Sequence, residues 1–297
     1  MGSMETQPPR IRFLRPDIAL RDVVRFYVQR EASLRDTDLV HPVPARAATM
    51  LEFVFSEPFE IHWCDRPIIE TTPRAVLIGL QTHRRVRLVI RGILESFCIV
   101  FQPAGLFRLF SIPVAELTNH DYDAHGVIGP SISSLHERLG ESNAFDGRAR
   151  IADQFLLAVL HTRQSADGVL EAGNQILQRH GHVRIRDLAN RTGYSLRQFE
   201  RRFAERIGVP PKLYAQIARF EAALDSRARS QETSWTEIAH AFGYYDQMHL
   251  IHDFERFSGE TPGNLLTEVE QAHRAAIDAV RTGRLSASGQ DAPRLIL

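Results

Sequence analysis

IRDLANRTGYSLRQFERRFAERIGVPP, residues 185–211, is the stretch on which the fold of the C-terminal half turns. Its apolar positions fit two short helices joined by a tight turn. Residues 185–191 make the first, with Leu188 and Ala189 inward, and Gly193-Tyr194 makes the turn. Ser195 then has the chemistry of a helix N-cap, with Gln198 three residues on at the capping-box position. Phe199, Phe203 and Ile207 recur at helical spacing and predict a buried stripe. Pro211 is suited to start a longer helix through about Ser226 that buries Leu213, Ile217, Phe220 and Leu224. The pattern is that of a helix-turn-helix.

About fifty residues later WTEIAHAFGYYDQMHLIHDFERFSGETP, residues 235–262, repeats the grammar. Leu188, Ala189, Gly193 and Tyr194 align with Ile238, Ala239, Gly243 and Tyr244. Beyond the extra Tyr245, Ser195, Phe199, Phe203, Gly208 and Pro211 align with Asp246, Leu250, Phe254, Gly259 and Pro262. Each pair keeps a role: small residue at a crossing, Gly in the turn, oxygen-bearing cap, apolar core, Gly stop and Pro start.

A helix-turn-helix reads DNA by laying its second helix in the major groove. In the first unit Ser195, Arg197, Gln198, Arg201 and Arg202 are the candidate contacts. Arg197 and Arg201 lie one turn apart, and each side chain can hold a guanine edge bidentately. Any single outward arginine is as readily explained by solvation. Across 184–206, however, seven arginines (184, 186, 191, 197, 201, 202, 206) face three acids (187, 200, 205). The second unit presents Gln247, Met248, Ile251, His252 and Asp253, of which the first four are candidate contacts. Met248 and Ile251 suit thymine methyls or, equally, shielded apolar positions that read nothing.

The N-terminal half follows another rhythm. Residues 51–55, 59–64, 75–80, 86–91 and 94–101 are short β-rich runs separated by Pro58, Pro67, Pro73, Gly79 and Gly92. An antiparallel barrel, cupin-like, or a sandwich is expected, able to enclose a small ligand. Phe53, Phe55, His62, Trp63 and Phe97 are the candidate pocket residues, although such aromatics more often make an ordinary core. Helical runs at 102–110, 131–139 and 148–161 follow, to pack on the sheet or carry a dimer contact. The chain thus divides into a β-rich sensor and dimerisation domain (10–161), a polar linker (162–168), an all-α DNA-binding domain (169–266, with its units at about 185–207 and 235–257) and a polar tail (267–297) expected to be partly disordered. The fold class is α+β.

Composition sets bounds rather than an assignment. The 297 residues are 43% hydrophobic and 24% charged, ordinary for a globular chain, and their formal net charge is zero. Thirty-six basic residues less the single Lys212 leave 35 arginines, a bias that a GC-rich genome explains as well as DNA binding does. No apolar run approaches the roughly 20 residues of a bilayer span. The N-terminus lacks the apolar core of a secretory signal, so no membrane association and a cytoplasmic location are expected. Cys64 and Cys98 lack metal-ligand spacing and are expected to be buried thiols.

The two units together resemble the DNA-binding domain of the AraC/XylS family of transcription regulators, carried by IRDLANRTGYSLRQFERRFAERIG and IAHAFGYYDQMHLIHDFERFSGETP. That resemblance implies two helix-turn-helix units on a long connecting helix, reading through Arg197, Arg201, Met248, Ile251 and His252. Many members have Arg where His252 stands. It also implies promoter DNA and RNA polymerase as partners, a small-molecule effector, activation of transcription and a homodimer. The alternative is a cupin-type metalloenzyme or small-molecule binding protein, with His62, Cys64, His83 and Glu95 as the available ligands. No H-x-H pattern, P-loop or nucleophile elbow supports it. Neither a catalytic residue nor a metal or cofactor is therefore expected.

Overall fold

The structure, a computed structural model, describes residues 7–34, 38–161, 168–230 and 232–281. Ten strands occupy the N-terminal part: β1 (Gln7–Leu14), β2 (Val24–Ser33), β3 (Leu39–Pro42), β4 (Met50–Val54), β5 (Glu60–Trp63), β6 (Ile69–Thr71), β7 (Ala75–Ile78), β8 (Val86–Ile90), β9 (Ile93–Phe101) and β10 (Asp121–Asp123). They form two antiparallel sheets, ordered β1-β2-β9-β4-β7-β10 and β3-β8-β5-β6. The β-rich domain followed by a helical one is as the sequence implies, but the barrel is split into two sheets and not closed.

Four helices, α1 (Gly105–Phe110), α2 (Ala124–Ile128), α3 (Ser131–Gly140) and α4 (Phe145–His161), cover one face of the six-stranded sheet. Leu51, Phe53, Phe97, Ile99 and Tyr27 pack there against Leu106, Ile132, Leu135, Phe145 and Leu156. The opposite face turns toward the four-stranded sheet and the C-terminal domain. It carries Met50, Cys98 and Val100 and a buried ion pair between Arg30 and Glu52. Alternation along a strand separates these two sets, since Cys98 pairs with Val28 and Glu52 while its neighbour Phe97 pairs with Gln29 and Phe53.

The C-terminal part contains α5 (Gly168–Gln178), α6 (Ile185–Thr192), α7 (Leu196–Ile207), α8 (Pro211–Arg229), α9 (Trp235–Ala241), α10 (Gln247–Ser258) and α11 (Pro262–Arg281). The last runs for 20 residues, well into the polar tail expected from residue 267, and packs on β1 and β3. The linker expected at 162–168 lies outside the described residues except for Gly168, the first residue of α5. So does the tail beyond 281.

Helix α8 ties the parts together. Phe220, fully buried, meets Phe254 and Phe257 of α10 with ring centroids 4.8 and 5.4 Å away, and Tyr214 meets Phe203 of α7 at 5.6 Å. The same helix grips the β domain at Ala47. The Ala47 N–H donates to Glu221 at 3.1 Å, and its carbonyl accepts from the Tyr214 hydroxyl at 3.1 Å. Nearby, the Ala45 N–H donates to the carbonyl of Phe257 at 2.8 Å, and Arg84 pairs with Glu268 at 2.7 Å. Removing a ring at the centre of this arrangement leaves a cavity between three helices. Phe220→Ala is expected to lower stability by roughly 3–5 kcal/mol in urea unfolding, whereas Met248→Ala, on an exposed face, stays within about 0.5 kcal/mol.

Candidate nucleic-acid interface

Both units are built by local signals. The Ser195 hydroxyl accepts from the Gln198 N–H at 3.4 Å while the Gln198 side chain accepts from the Ser195 N–H at 3.1 Å, closing a capping box at the start of α7. In the second unit the box lies one helix earlier, between Ser234 and Glu237 at the start of α9, and α10 is capped by Asp246 accepting from the His249 N–H at 2.8 Å. The turn between α9 and α10 needs Gly243. Its φ is +64°, and a Cβ there would fall 2.1 Å from the His182 ring.

On α7, Phe199, Phe203 and Ile207 are buried, and Arg197, Gln198 and Arg201 are exposed on the other side. Arg202 is half-buried, its guanidinium 4.6 Å from the centre of the Tyr194 ring, so the turn holds it in place. Gln198 and Ser195 spend acceptor capacity on the cap, leaving the Gln198 amide group as donor. On α10, Gln247, Met248 and His252 are exposed and Ile251 is half-buried. Gln247 accepts from the Thr236 hydroxyl at 2.9 Å, which ties the recognition helix to α9. His252 stands 3.7 Å from Glu255.

Asp253 does not face outward with them. It is buried, its Oδ2 has no hydrogen-bond partner, and burial raises its carboxyl above the usual range against the pull of Arg219. The helical phase explains this, because Asp253 occupies the place that half-buried Arg202 has in the first unit. Two exposed residues escaped the sequence reading: Tyr245, 91% exposed in the turn before α10, and His249. The only available signal for Tyr245 was its status as the inserted residue between the two repeats.

The expected effector pocket is not assembled. Phe53 and Phe97 are fully buried against the helices, Phe97 stacking on Tyr27 at 5.5 Å and meeting Phe145 at 6.1 Å. Phe55 lies by His136 and under the Arg148 guanidinium, 4.1 Å from its ring centre. His62 and Trp63 belong to the other sheet, where His62 bonds Glu60 at 2.7 Å and Trp63 is clamped between Arg66 and Arg85. Which sheet face a residue takes depends on register, and that separates the five. Cys98 is buried as expected, and its burial pushes the thiol up to about 12, but Cys64 is exposed. Among the described residues, no three His, Cys, Asp or Glu side chains are grouped to hold a metal, and no helix is long and apolar enough to cross a membrane.

A family described as a helix-turn-helix domain matches residues 188–268, from within α6 into α11. The C-terminal domain is an AraC-type helix-turn-helix domain. The protein is accordingly a DNA-binding transcription regulator. Ahead of its AraC-type domain, residues 12–123 match a domain of unknown function, DUF6597. No curated protein sequence matches the chain. Similar solved structures include ToxT from Vibrio cholerae O395, at 13% identity and a TM-score of 0.44 over 82% of this chain and 97% of that one. ToxT of strain SCE256 with an unsaturated fatty acid bound is 11% identical, with a TM-score of 0.43 over 82% and 95%. The AraC-like transcriptional activator CuxR is 13% identical, with a TM-score of 0.27 over 71% and 86%.

The buried carboxylate sets a pH dependence for the AraC-type domain. A carboxyl whose folded pKa is raised is more stable protonated, so its ionisation costs stability as the pH rises from the ordinary value near 4 through the folded one. Asp253→Asn is expected to raise the thermal midpoint at pH 7 by a few degrees. The gain should vanish as the pH falls to about 4, as scanning calorimetry at both values would register.

Proposed function

We propose that the protein is a cytoplasmic transcription activator that reads two adjacent major-groove segments of a promoter and answers to a small molecule. Two recognition helices flanking one rigid connector support this reading. Helix α8 has 19 residues and so spans about 28 Å, a spacer suited to grooves recurring every ~34 Å along one side of a duplex. The reading assigns Arg197 and Arg201 to guanine edges in the first half-site. Arg202, Ser195 and Gln198 contribute backbone contacts and orientation. In the second half-site, Gln247 and His252 supply hydrogen bonds, while Met248 and Ile251 supply apolar contact to thymine methyls. RNA polymerase and a second copy of the chain are the remaining partners in this reading, which has no catalytic step and no cofactor.

The β-rich domain and the helices that follow it, through His161, serve as sensor and dimerisation module, with the DNA-binding domain beginning near Val169. The exposed arginine pair on α7 carries the functional reading, because only the first unit presents two side chains of guanine-reading geometry one turn apart. Selection of a duplex followed by competition with single-base variants tests it. Arg197→Ala and Arg201→Ala should each lose about 1–3 kcal/mol of discrimination at one position. Both should also show a shallower dependence of affinity on salt. Wild-type discrimination in both variants would move the reading face elsewhere.

A further inference from the structure

Of the residues expected to hold an effector, Phe53 and Phe97 are buried in the core and His62 and Trp63 lie on the other sheet, yet a cleft of about 400 Å³ opens on the far side of the same helical layer. Leu109 and Phe110 of α1, Ile112 just after it, Val127 of α2, and Phe155 and Val159 of α4 form its walls. All eight lining side chains are aliphatic or aromatic. The volume is that of a small-molecule site, and with no charged or hydrogen-bonding side chain in the wall nothing would compensate the desolvation of an ionic ligand. Ser111, between two of the lining residues, has a left-handed backbone with φ 57°, held by its N–H donating to the carbonyl of Phe107 at 2.7 Å.

The wall leads directly to the first recognition helix. Past Ile112 and Pro113 the chain forms the 3-10 turn Val114–Leu117, which packs on the end of α7. The Thr118 hydroxyl donates to the carbonyl of Gly208, the C-cap of α7, at 2.8 Å. Gly208 has φ +112°, and a Cβ there would stand 2.7 Å from Thr118 Oγ1 and 3.2 Å from Val114. The Arg206 guanidinium, in the last turn of α7, lies 5.3 Å from the ring centre of Phe107 in α1.

We propose that this cleft is an effector site for a neutral, apolar small molecule, and that the segment 112–118 carries its occupancy to α7. The proposal rests on the reading of the chain as a ligand-responsive regulator and gives that reading a location. A polar effector has no side-chain anchor here, and an apolar ring or short alkyl chain fits the wall chemistry. Packing such a molecule against Ile112 fixes the start of the segment whose other end holds the C-cap of the reading helix.

The neutral fluorophore N-phenyl-1-naphthylamine is the probe, titrated into the full chain with and without a selected duplex. Saturable fluorescence at one probe per chain is expected, with a several-fold change in duplex affinity. Ala158 of α4 also lines the cleft, and Ala158→Phe, which fills it, should abolish both effects while leaving probe-free duplex affinity within about twofold. Val127→Ser, at the half-buried wall, should weaken probe binding by roughly tenfold and guards against misfolding of the bulkier variant. Absence of saturation, or wild-type probe binding by Ala158→Phe, would overturn the site. Sedimentation of the wild type as a dimer and of Ala158→Phe as a monomer would overturn it in favour of an interface between copies. Probe binding lost in Ala158→Phe but without effect on duplex affinity in the wild type would overturn the coupling through 112–118. If the chain binds no selected duplex while the probe results hold, the regulator reading fails and the cleft stands.

Discussion

Helix α8 must satisfy three neighbours at once, and the arrangement of the protein follows from that demand. One part of its surface closes the core of the first helix-turn-helix through Tyr214, another closes the second through Phe220, and the segment before β4 lies against Tyr214 and Glu221 through Ala47. Glu221 is 6% exposed, and its carboxylate is met there by the Ala47 N–H and by the charge of Arg46. One helix therefore sets both the separation of the recognition helices and the attitude of the β domain toward them.

The two faces of the six-stranded sheet have been given different work. The helix-covered face is dry and close-packed around Phe53, Phe97 and Tyr27. Its opposite holds Arg30, Glu52 and Cys98 on the side where the domains meet, with Arg46 buried beside Met50. What concavity the helical layer offers lies on its outer side, where α1, α2 and α4 fail to cover one another.

The helical domain was legible residue by residue because its signals are local: Ser195 with Gln198, Gly193, Gly243 and the two prolines each act within one turn. Bounds for α7 and the start of α8 follow from those signals. The β domain was legible only as a class. Five of its ten strands read as β-rich runs, but the direction in which Phe53 or His62 points depends on partners far along the chain, and a shift of one residue inverts it. Asp253 was misplaced although the cue was local, since its position in the helical phase is that of half-buried Arg202 in the first unit. The cleft draws on three separate stretches around residues 110, 128 and 157, so no window of sequence contains it.

The two capping boxes differ in one atom group. At the start of α9 the box is closed by the carboxylate of Glu237, held below its usual pKa by the Ser234 N–H. At the start of α7, the helix whose first turn would approach phosphates, it is closed by the uncharged amide of Gln198. Either group completes the hydrogen bonds, but a carboxylate there would confront a polyanion and cancel the positive end of the helix dipole. The first recognition helix thus keeps the positive end of its dipole uncancelled, whereas the second, α10, starts on the carboxylate of Asp246 and lacks the arginine pair of α7.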